Sequence, residues 1–414
     1  MNAQELIDVY SGQEFVGSIV QSLKTGPASK VYITGLKGSI RSLIGSALFQ
    51  SYQTPQLYIF PDREAAEYFQ NDLQTFLDKK HIWLFPSPFK DDQDVESVYN
   101  QSVLERTEIL GQIRETDKRN PVIVTYPEAL FEKVINKQSL QENTFDVTVG
   151  DKLDMDFMID FLTQYNFERT DFVYEAGSFS IRGSIIDIFS FANELPYRIE
   201  LFEDTVESIR MFDPETQLSA KKLSRFTIIP NVETQEKGFG SRISFFDYIP
   251  SDTVILAQDL HLTSEFIKSI YNKIKKTASE QKAEHEINID SFEDAKAVLK
   301  HISKFACIEW GTKNYFEPTL ESDLNISPQP DFNKNFNLFA GDLQANSRKG
   351  YDNIIFSDQP KQVERIYAIF EDLNTGAEFT PIYKILHEGF IDHQTKIACY
   401  TEHQIFGRYQ RCGM

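Results

Sequence analysis

The feature that most limits what this chain can fold into is a rhythm that starts, breaks and resumes. Short apolar runs at 31–33, 56–60, 82–85 and 122–125 are separated by helical patterns such as 63–77 and 98–113. Strands alternating with helices in this way build a mostly parallel sheet with helices on both faces. From 144 to about 213 the rhythm changes. Runs such as FSIRGSIIDIFS and YRIELFEDTVESIRMFD alternate like strands of an antiparallel sheet, with one helical stretch at 154–164. Strand–helix alternation then returns with TVILAQD, HLTSEFIKSIYNKIKK, SFEDAKAVLKHIS and ACIEW. An antiparallel module inserted into an α/β domain accounts for both changes, with 1–126 and 214–311 as the α/β domain and 127–213 as the insert. Residues 312–335, with several Pro and Asn and little periodicity, read as a linker. A last small α/β unit at 336–414 contains NIIF, a helix entered through Ser357, Asp358 and Pro360, and the strand KIACY.

At 414 residues the chain is long enough for about three domains, and 41% hydrophobic with 13% aromatic residues makes it globular. No run of about 18 apolar residues offers a membrane span, and MNAQELIDVY lacks the basic and apolar regions of a signal peptide. Cys307, Cys399 and Cys412 lie far apart and form no disulfide framework, which suits a cytoplasmic protein. The net charge of −20 argues against broad, autonomous binding to phosphate backbones, though a local basic patch is compatible with it.

TGLKGSIRS, 34–42, stands between an apolar run and a helical pattern, which is the context of the phosphate-binding loop G-x-x-x-x-G-K-[ST]. Gly35 and Ser42 occupy the first and last positions of that motif. Ile40 stands where the second glycine should let backbone N–H groups close around a phosphate, and a β-branched residue resists such backbone angles. Arg41 replaces the lysine, a planar fork in place of a compact ammonium. The stretch reads either as a nucleotide loop that has lost its ligand or as a plain strand–helix turn.

Other constellations carry less. His387, His393, Cys399, His403 and Cys412 crowd the C-terminal part without C-x-x-C or H-x-x-x-H pairing, so a buried cysteine and surface histidines are expected rather than a metal site. Asp91, Asp92, Asp94 and Glu96 read as the solvated acidic start of a helix. No signature of a nucleophilic enzyme is present. Taken as one strand, FSIRGSIID places Ser180, Arg182, Ser184 and Ile186 on one face and Phe179, Ile181 and Ile185 on the other, so that Arg182 points outward.

The segment GSFSIRGSIIDIFSFANELPYRIELFEDTVESIRMFDPETQ, 177–217, resembles the module shared by the excision-repair protein UvrB and the bacterial transcription-repair coupling factors (Mfd). The RG-x-IIDIF core, the PYRIELF strand and the ESIRMFDPETQ turn come in the family's order and spacing. PVIVTYPEALF and GFIDHQTKIACYTEHQIFGR are similar to the coupling factors rather than to UvrB. The resemblance spans essentially the whole chain. It implies a degenerate P-loop helicase-like parallel-sheet domain with an inserted antiparallel α+β module, followed by a small C-terminal α/β domain. It further implies that the chain is an N-terminal piece of a longer protein whose remaining parts bind RNA polymerase and drive DNA translocation with ATP and Mg²⁺.

In that family the loop at 35–42 is decayed, and VILAQDLH should carry the Asp-Glu pair that holds Mg²⁺. Gln258 and Asp259 stand there instead, so the first carboxylate is a neutral amide. No cofactor is therefore expected for this chain itself. The resemblance also implies a binding role, recruitment of the damage sensor UvrA, through Arg182 in R-G-x-[IV], Arg169 upstream and Arg198 in PYRIEL; Ile186, on the same face as Arg182 in the one-strand reading, is expected as a milder apolar contact. Ser180 stands where UvrB has a further arginine, so the contact set is thinner. The plainer alternative is that these arginines only pair with acids such as Glu200 and Glu203. The functional expectation is a monomeric, non-catalytic adaptor. The alternatives are an ATP-dependent helicase-like enzyme and a UvrB-type DNA-binding module; against the latter stands the short loop FPSPFKDDQD, where UvrB carries a long aromatic-rich hairpin.

Overall fold

The computed structural model describes residues 1–87, 105–106, 109–113, 120–142, 144–165, 167–190, 195–228, 242–279 and 289–407. Asp91, Asp92, Asp94, Glu96, most of FPSPFKDDQD, Cys412 and much of the helical stretch read at 98–113 lie outside them. The chain divides into two compact units, one of Met1–Leu84, Thr116–Phe131 and Ile249–Met414, the other of Phe85–Glu115 and Glu132–Tyr248.

The first unit is built on a seven-stranded sheet in the order Leu320–Asp323, Lys30–Thr34, Ala306–Trp310, Val254–Gln258, Gln56–Ile59, Val122–Thr125 and Ile82–Leu84. Every neighbouring pair is parallel. Central strands such as QLYI, VIVT and ACIEW are buried at every position, as a sheet covered on both faces requires, which explains why they read as continuous apolar runs. Helices Ala3–Ser11, Ile40–Ser51 and Arg63–Phe76 bury their apolar stripes against one face, sharing a core with Val31, Ile33, Tyr58, Val124, Leu256 and Ile308. Asn2 opens the first of these helices with a full capping box to Glu5, and Asp62 caps the third at Ala65 N.

A second, five-stranded sheet follows in the same unit, in the order Ile326–Pro328, Phe390–Asp392, Ile397–Thr401, Asp352–Phe356 and Thr380–Ile382. One of its faces is covered by helices Phe336–Arg348 and Pro360–Asp372 through Phe339, Leu343, Ile366 and Phe370. Its other face, with Ile354, Phe356, Leu386, Phe390 and Cys399, joins the core of the first sheet's helices. Tyr10 OH donates to Asp392 at 2.8 Å across this joint. The stretch 312–335, read as a linker, contains the edge strand of each sheet: Leu320–Asp323 runs parallel to Lys30–Thr34, and Ile326–Pro328 runs antiparallel to Phe390–Asp392. Edge strands this short, with LESD half exposed, show no periodicity to read.

The second unit is the antiparallel module. Its six-stranded sheet runs Ser219–Leu223, Thr205–Phe212, Tyr197–Phe202, Ile185–Phe189, Ser178–Arg182 and Glu168–Arg169, all antiparallel except the last pair. Helix Met155–Gln164, capped by Asp154, lays Met158 and Leu162 on Phe179, Ile186, Ile188, Ile199 and Ile209. The boundary at 213 falls inside this module, because Ser219–Leu223 completes the sheet and Arg225–Ile228 pairs with Phe145–Thr148. The boundary at 127 falls early, because Pro127–Leu130 belongs to the parallel unit and packs with the long helix Leu260–Ser279.

Candidate functional site

Strand Lys30–Thr34 delivers the chain to Gly35, and helix Ile40–Ser51 leaves the loop. Gly35 (φ +79°) and Gly38 (φ +60°) hold backbone angles that side chains avoid. A Cβ on Gly35 would lie 1.8 Å from the Leu324 carbonyl oxygen, and one on Gly38 2.6 Å from that of Gly389. These glycines admit neighbouring backbone where a nucleotide loop admits phosphate. Ser39 N–H donates to the Glu388 carbonyl at 3.1 Å. Ser39 Oγ donates to Asp72 Oδ2 at 2.5 Å and accepts from Glu388 N–H at 2.8 Å, while His387 N–H donates to Asp72 Oδ1 at 2.7 Å. The His387 ring stacks on Tyr68, their centroids 3.7 Å apart. The connection 386–389 of the five-stranded sheet thus closes over the loop, and a carbonyl oxygen receives an N–H that such loops offer to an anion.

The remaining motif positions also face inward. Ile40 is fully buried in the apolar core. Ser42 Oγ donates to the Ser39 carbonyl at 2.7 Å. Arg41 Nε donates to the Gly38 carbonyl at 3.1 Å and Nη1 to Gln258 Oε1 at 2.9 Å, with the guanidinium 5.8 Å from the Phe60 ring centroid. Desolvation holds Arg41 below the usual guanidinium range, opposed by Glu388 and Asp72. Asp72, buried, is pushed up to about 7 by that burial, against the hydrogen bonds from Ser39 and His387 and the charge of Arg41. Asp259 (φ +49°) accepts from Thr312 N–H at 2.6 Å and Thr312 Oγ1 at 2.8 Å, and so shapes the turn at Gly311. The residues present do not fit a nucleotide triphosphate with its Mg²⁺.

The arginine face lies on the antiparallel sheet. FSIRGSIID is a hairpin, not one strand: Arg182 pairs with Ile185 across Gly183–Ser184, and Gly183 at φ +62° in the first loop position follows the type II′ pattern. The turn resets the alternation. Phe179, Ile181, Ile186 and Ile188 therefore share the core face, and Ser180, Arg182, Ile185 and Asp187 the other. Ile186, expected on the outer face, is fully buried beneath the sheet. Half-buried Ile185 stands in its place.

Arg182 and Arg198 converge on Asp187, a carboxylate 1% exposed in the middle of IIDIF. Arg198 forms the bidentate pair, Nε to Oδ1 at 2.7 Å and Nη2 to Oδ2 at 2.8 Å, and also donates to Gln217 Oε1 at 2.8 Å. Arg182 reaches the same carboxylate and lies over the Phe172 ring, 4.6 Å from its centroid. Glu200, expected as their partner, instead receives Arg210 and Ser208. Arg169 is exposed and has no ion pair among the described residues. Phe172 (46% exposed) and Tyr174 (59%) stand beside these arginines. Asp187, Phe172 and Tyr174 were not singled out by sequence reasoning. The signal for Asp187 was there, an acid inside an apolar strand, which is tolerated only when paired.

Among the described residues no group of His, Cys, Asp and Glu could hold a metal ion. His393 is held by Ser327 Oγ at 2.7 Å and Tyr351 OH at 2.9 Å, and Cys399 is buried. No helix among the described residues is long and apolar enough to cross a membrane.

With the arginine sheet placed, its family can be read. Residues 145–233 match the model of the UvrB interaction domain. The matched segment spans the whole six-stranded sheet and its helix and contains Arg169, Arg182, Asp187 and Arg198. Along most of its length the chain is similar to transcription-repair-coupling factors. It is 21% identical to that of Bacillus subtilis (strain 168) over 464 aligned residues, 94% of this chain and 39% of that protein. To that of Myxococcus xanthus it is 28% identical over 258, 60% of this chain and 21% of that protein. It is also 26% identical to UvrABC system protein B of Pseudomonas putida over 229, 52% of this chain and 34% of that protein. The chain thus spans between a fifth and two fifths of these relatives' length.

Proposed function

We propose that this chain is a non-catalytic adaptor of nucleotide excision repair, the UvrB-like part of a transcription-repair coupling factor, and that its arginine face recruits UvrA. The observation that carries this reading is the Arg182–Asp187–Arg198 cluster within the UvrB interaction domain, flanked by exposed Arg169, Phe172 and Tyr174. Asp187 anchors two planar forks and leaves Arg182 35% exposed, while Arg198 is 16% exposed. Guanidinium groups fixed before contact lose little freedom on binding, and aromatic side chains beside them supply apolar area. An acidic or carbonyl-rich patch is the complement.

ATP hydrolysis, RNA-polymerase binding and DNA translocation belong, on this reading, to other parts of the longer proteins the chain resembles, and its place is the cytoplasm. An ATP-dependent helicase-like enzyme is disfavoured by the closure of 386–389 over the loop. Titration calorimetry of the purified chain against UvrA tests the reading. Saturable binding that survives without nucleotide on this chain supports it. Absence of binding at tens of micromolar overturns it.

A further inference from the structure

In the parallel unit, helices Leu260–Ser279 and Ala295–Ile302 pack side by side and leave a cleft of about 640 Å³ between them. Lys268 and Lys275 line it from the first helix at helical spacing, and Lys296 and Lys300 from the second. All four are exposed and none has an ion pair among the described residues. Tyr271 and Tyr315 complete the wall, Tyr315 being 38% exposed. The single acid of the lining, Asp294, is engaged as the cap of the second helix, accepting from Ala297 N–H at 2.8 Å. Beyond Glu265 the first helix carries no acid, and the second carries none at all. On a chain of net charge −20, four ammonium groups gathered around a single lining carboxylate raise the local potential for an anion.

We propose that this cleft binds a single strand of nucleic acid, its phosphates along the four lysines and a base stacked on Tyr315. Two observations point to that ligand. The cations of the lining are all lysine, compact point charges that hold phosphates without imposing a fixed bidentate geometry. The exposed ring of Tyr315 beside these lysines offers the kind of stacking surface that single strands use whatever their sequence. The inference concerns the parallel unit alone and does not rest on UvrA recruitment.

Fluorescence anisotropy of the full chain with labelled oligo(dT) tests it. If four phosphates are neutralised, affinity falls about 50-fold between about 50 and 200 mM salt, following a slope near −0.7 per phosphate. Replacing Lys268, Lys275, Lys296 and Lys300 together by Ala removes binding, whereas the four Lys→Arg changes keep it. Tyr315→Ala weakens binding about fivefold or more without changing the salt slope. Unchanged affinity in a folded four-Ala variant overturns the proposal, as does salt-insensitive binding. If poly-glutamate competes as well as oligo(dT), the cleft is a site for acidic peptides and the nucleic-acid assignment fails.

Discussion

Arg41, at the start of helix Ile40–Ser51, reaches strand Val254–Gln258, and Arg198 reaches the strand beside its own, yet they leave the surface in opposite states. Arg41 has only neutral acceptors in direct contact, the Gly38 carbonyl and the Gln258 amide, inside a loop closed by 386–389. Arg198 and Arg182 meet a buried carboxylate on the sheet surface, where Arg182 stays 35% exposed and Arg198 16%. A group held by acceptors of its own chain inside a closed loop holds structure together. One that is anchored on one side and open on the other can hold a partner. The difference separates a strand–helix loop that serves as a joint between two sheets from the face proposed for recognition.

The contrast is broken most forcefully at Asp187. Arg198→Glu sets a carboxylate against one that is 1% exposed, and disrupting a buried ion pair costs about 3–5 kcal/mol. Urea denaturation followed by near-ultraviolet circular dichroism should show the antiparallel unit unfolding at much lower urea. An unchanged midpoint would mean that Arg198 is not structural. Arg182→Glu faces the same carboxylate, so any loss of partner binding in that variant mixes recognition with stability.

Arg169 separates the two, since it is exposed and has no ion pair among the described residues. Arg169→Ala should weaken UvrA binding about tenfold, near 1.4 kcal/mol, with the melting temperature unchanged. Wild-type affinity in calorimetry would remove Arg169 from the docking face.

The joint has a pH signature. The carboxyl of Asp72 sits at about 7 in the folded protein against an ordinary 3.8, chiefly through burial, so folding favours its protonated form. That contribution to stability is fully present below pH 3.8 and is lost as pH rises through about 7. His387 and His403, held low by burial, act in the other direction, losing stability as pH falls through 6.5. The stability of the wild type relative to Asp72→Asn should therefore decline steadily between pH 4 and pH 7 in paired thermal melts. A flat difference would show that Asp72 keeps an ordinary carboxyl.

The smallest effect is expected from nucleotide. Millimolar ATP with Mg²⁺ should leave the melting temperature unmoved, whereas a ligand at 100 times its dissociation constant would add about 2.7 kcal/mol. Restoring the motif with Ile40→Gly and Arg41→Lys should not change that outcome, because Glu388 still covers Ser39. A clear upward shift in the double variant would show that the motif residues alone had closed the site.

The sequence by itself determined the alternation of strand and helix, the interruption by an antiparallel module, and the mismatch at Ile40 and Arg41, because these are properties of residue type and short-range spacing. It also placed Arg182 on the outer face, since the strand leading to it keeps its period of two. It misplaced Ile186 because a two-residue turn resets that period, and only pairing reveals the reset. It passed over the edge strands at Leu320–Asp323 and Ile326–Pro328, whose order comes from partner strands and not from their own pattern. Tertiary structure alone decided that residues 386–389 would meet a loop some 350 positions earlier, that one aspartate would serve two arginines, and that lysines from two helices would line one cleft. Each of these joins groups distant in the chain, and which distant groups meet is set by how the apolar faces pack together, not by any local preference.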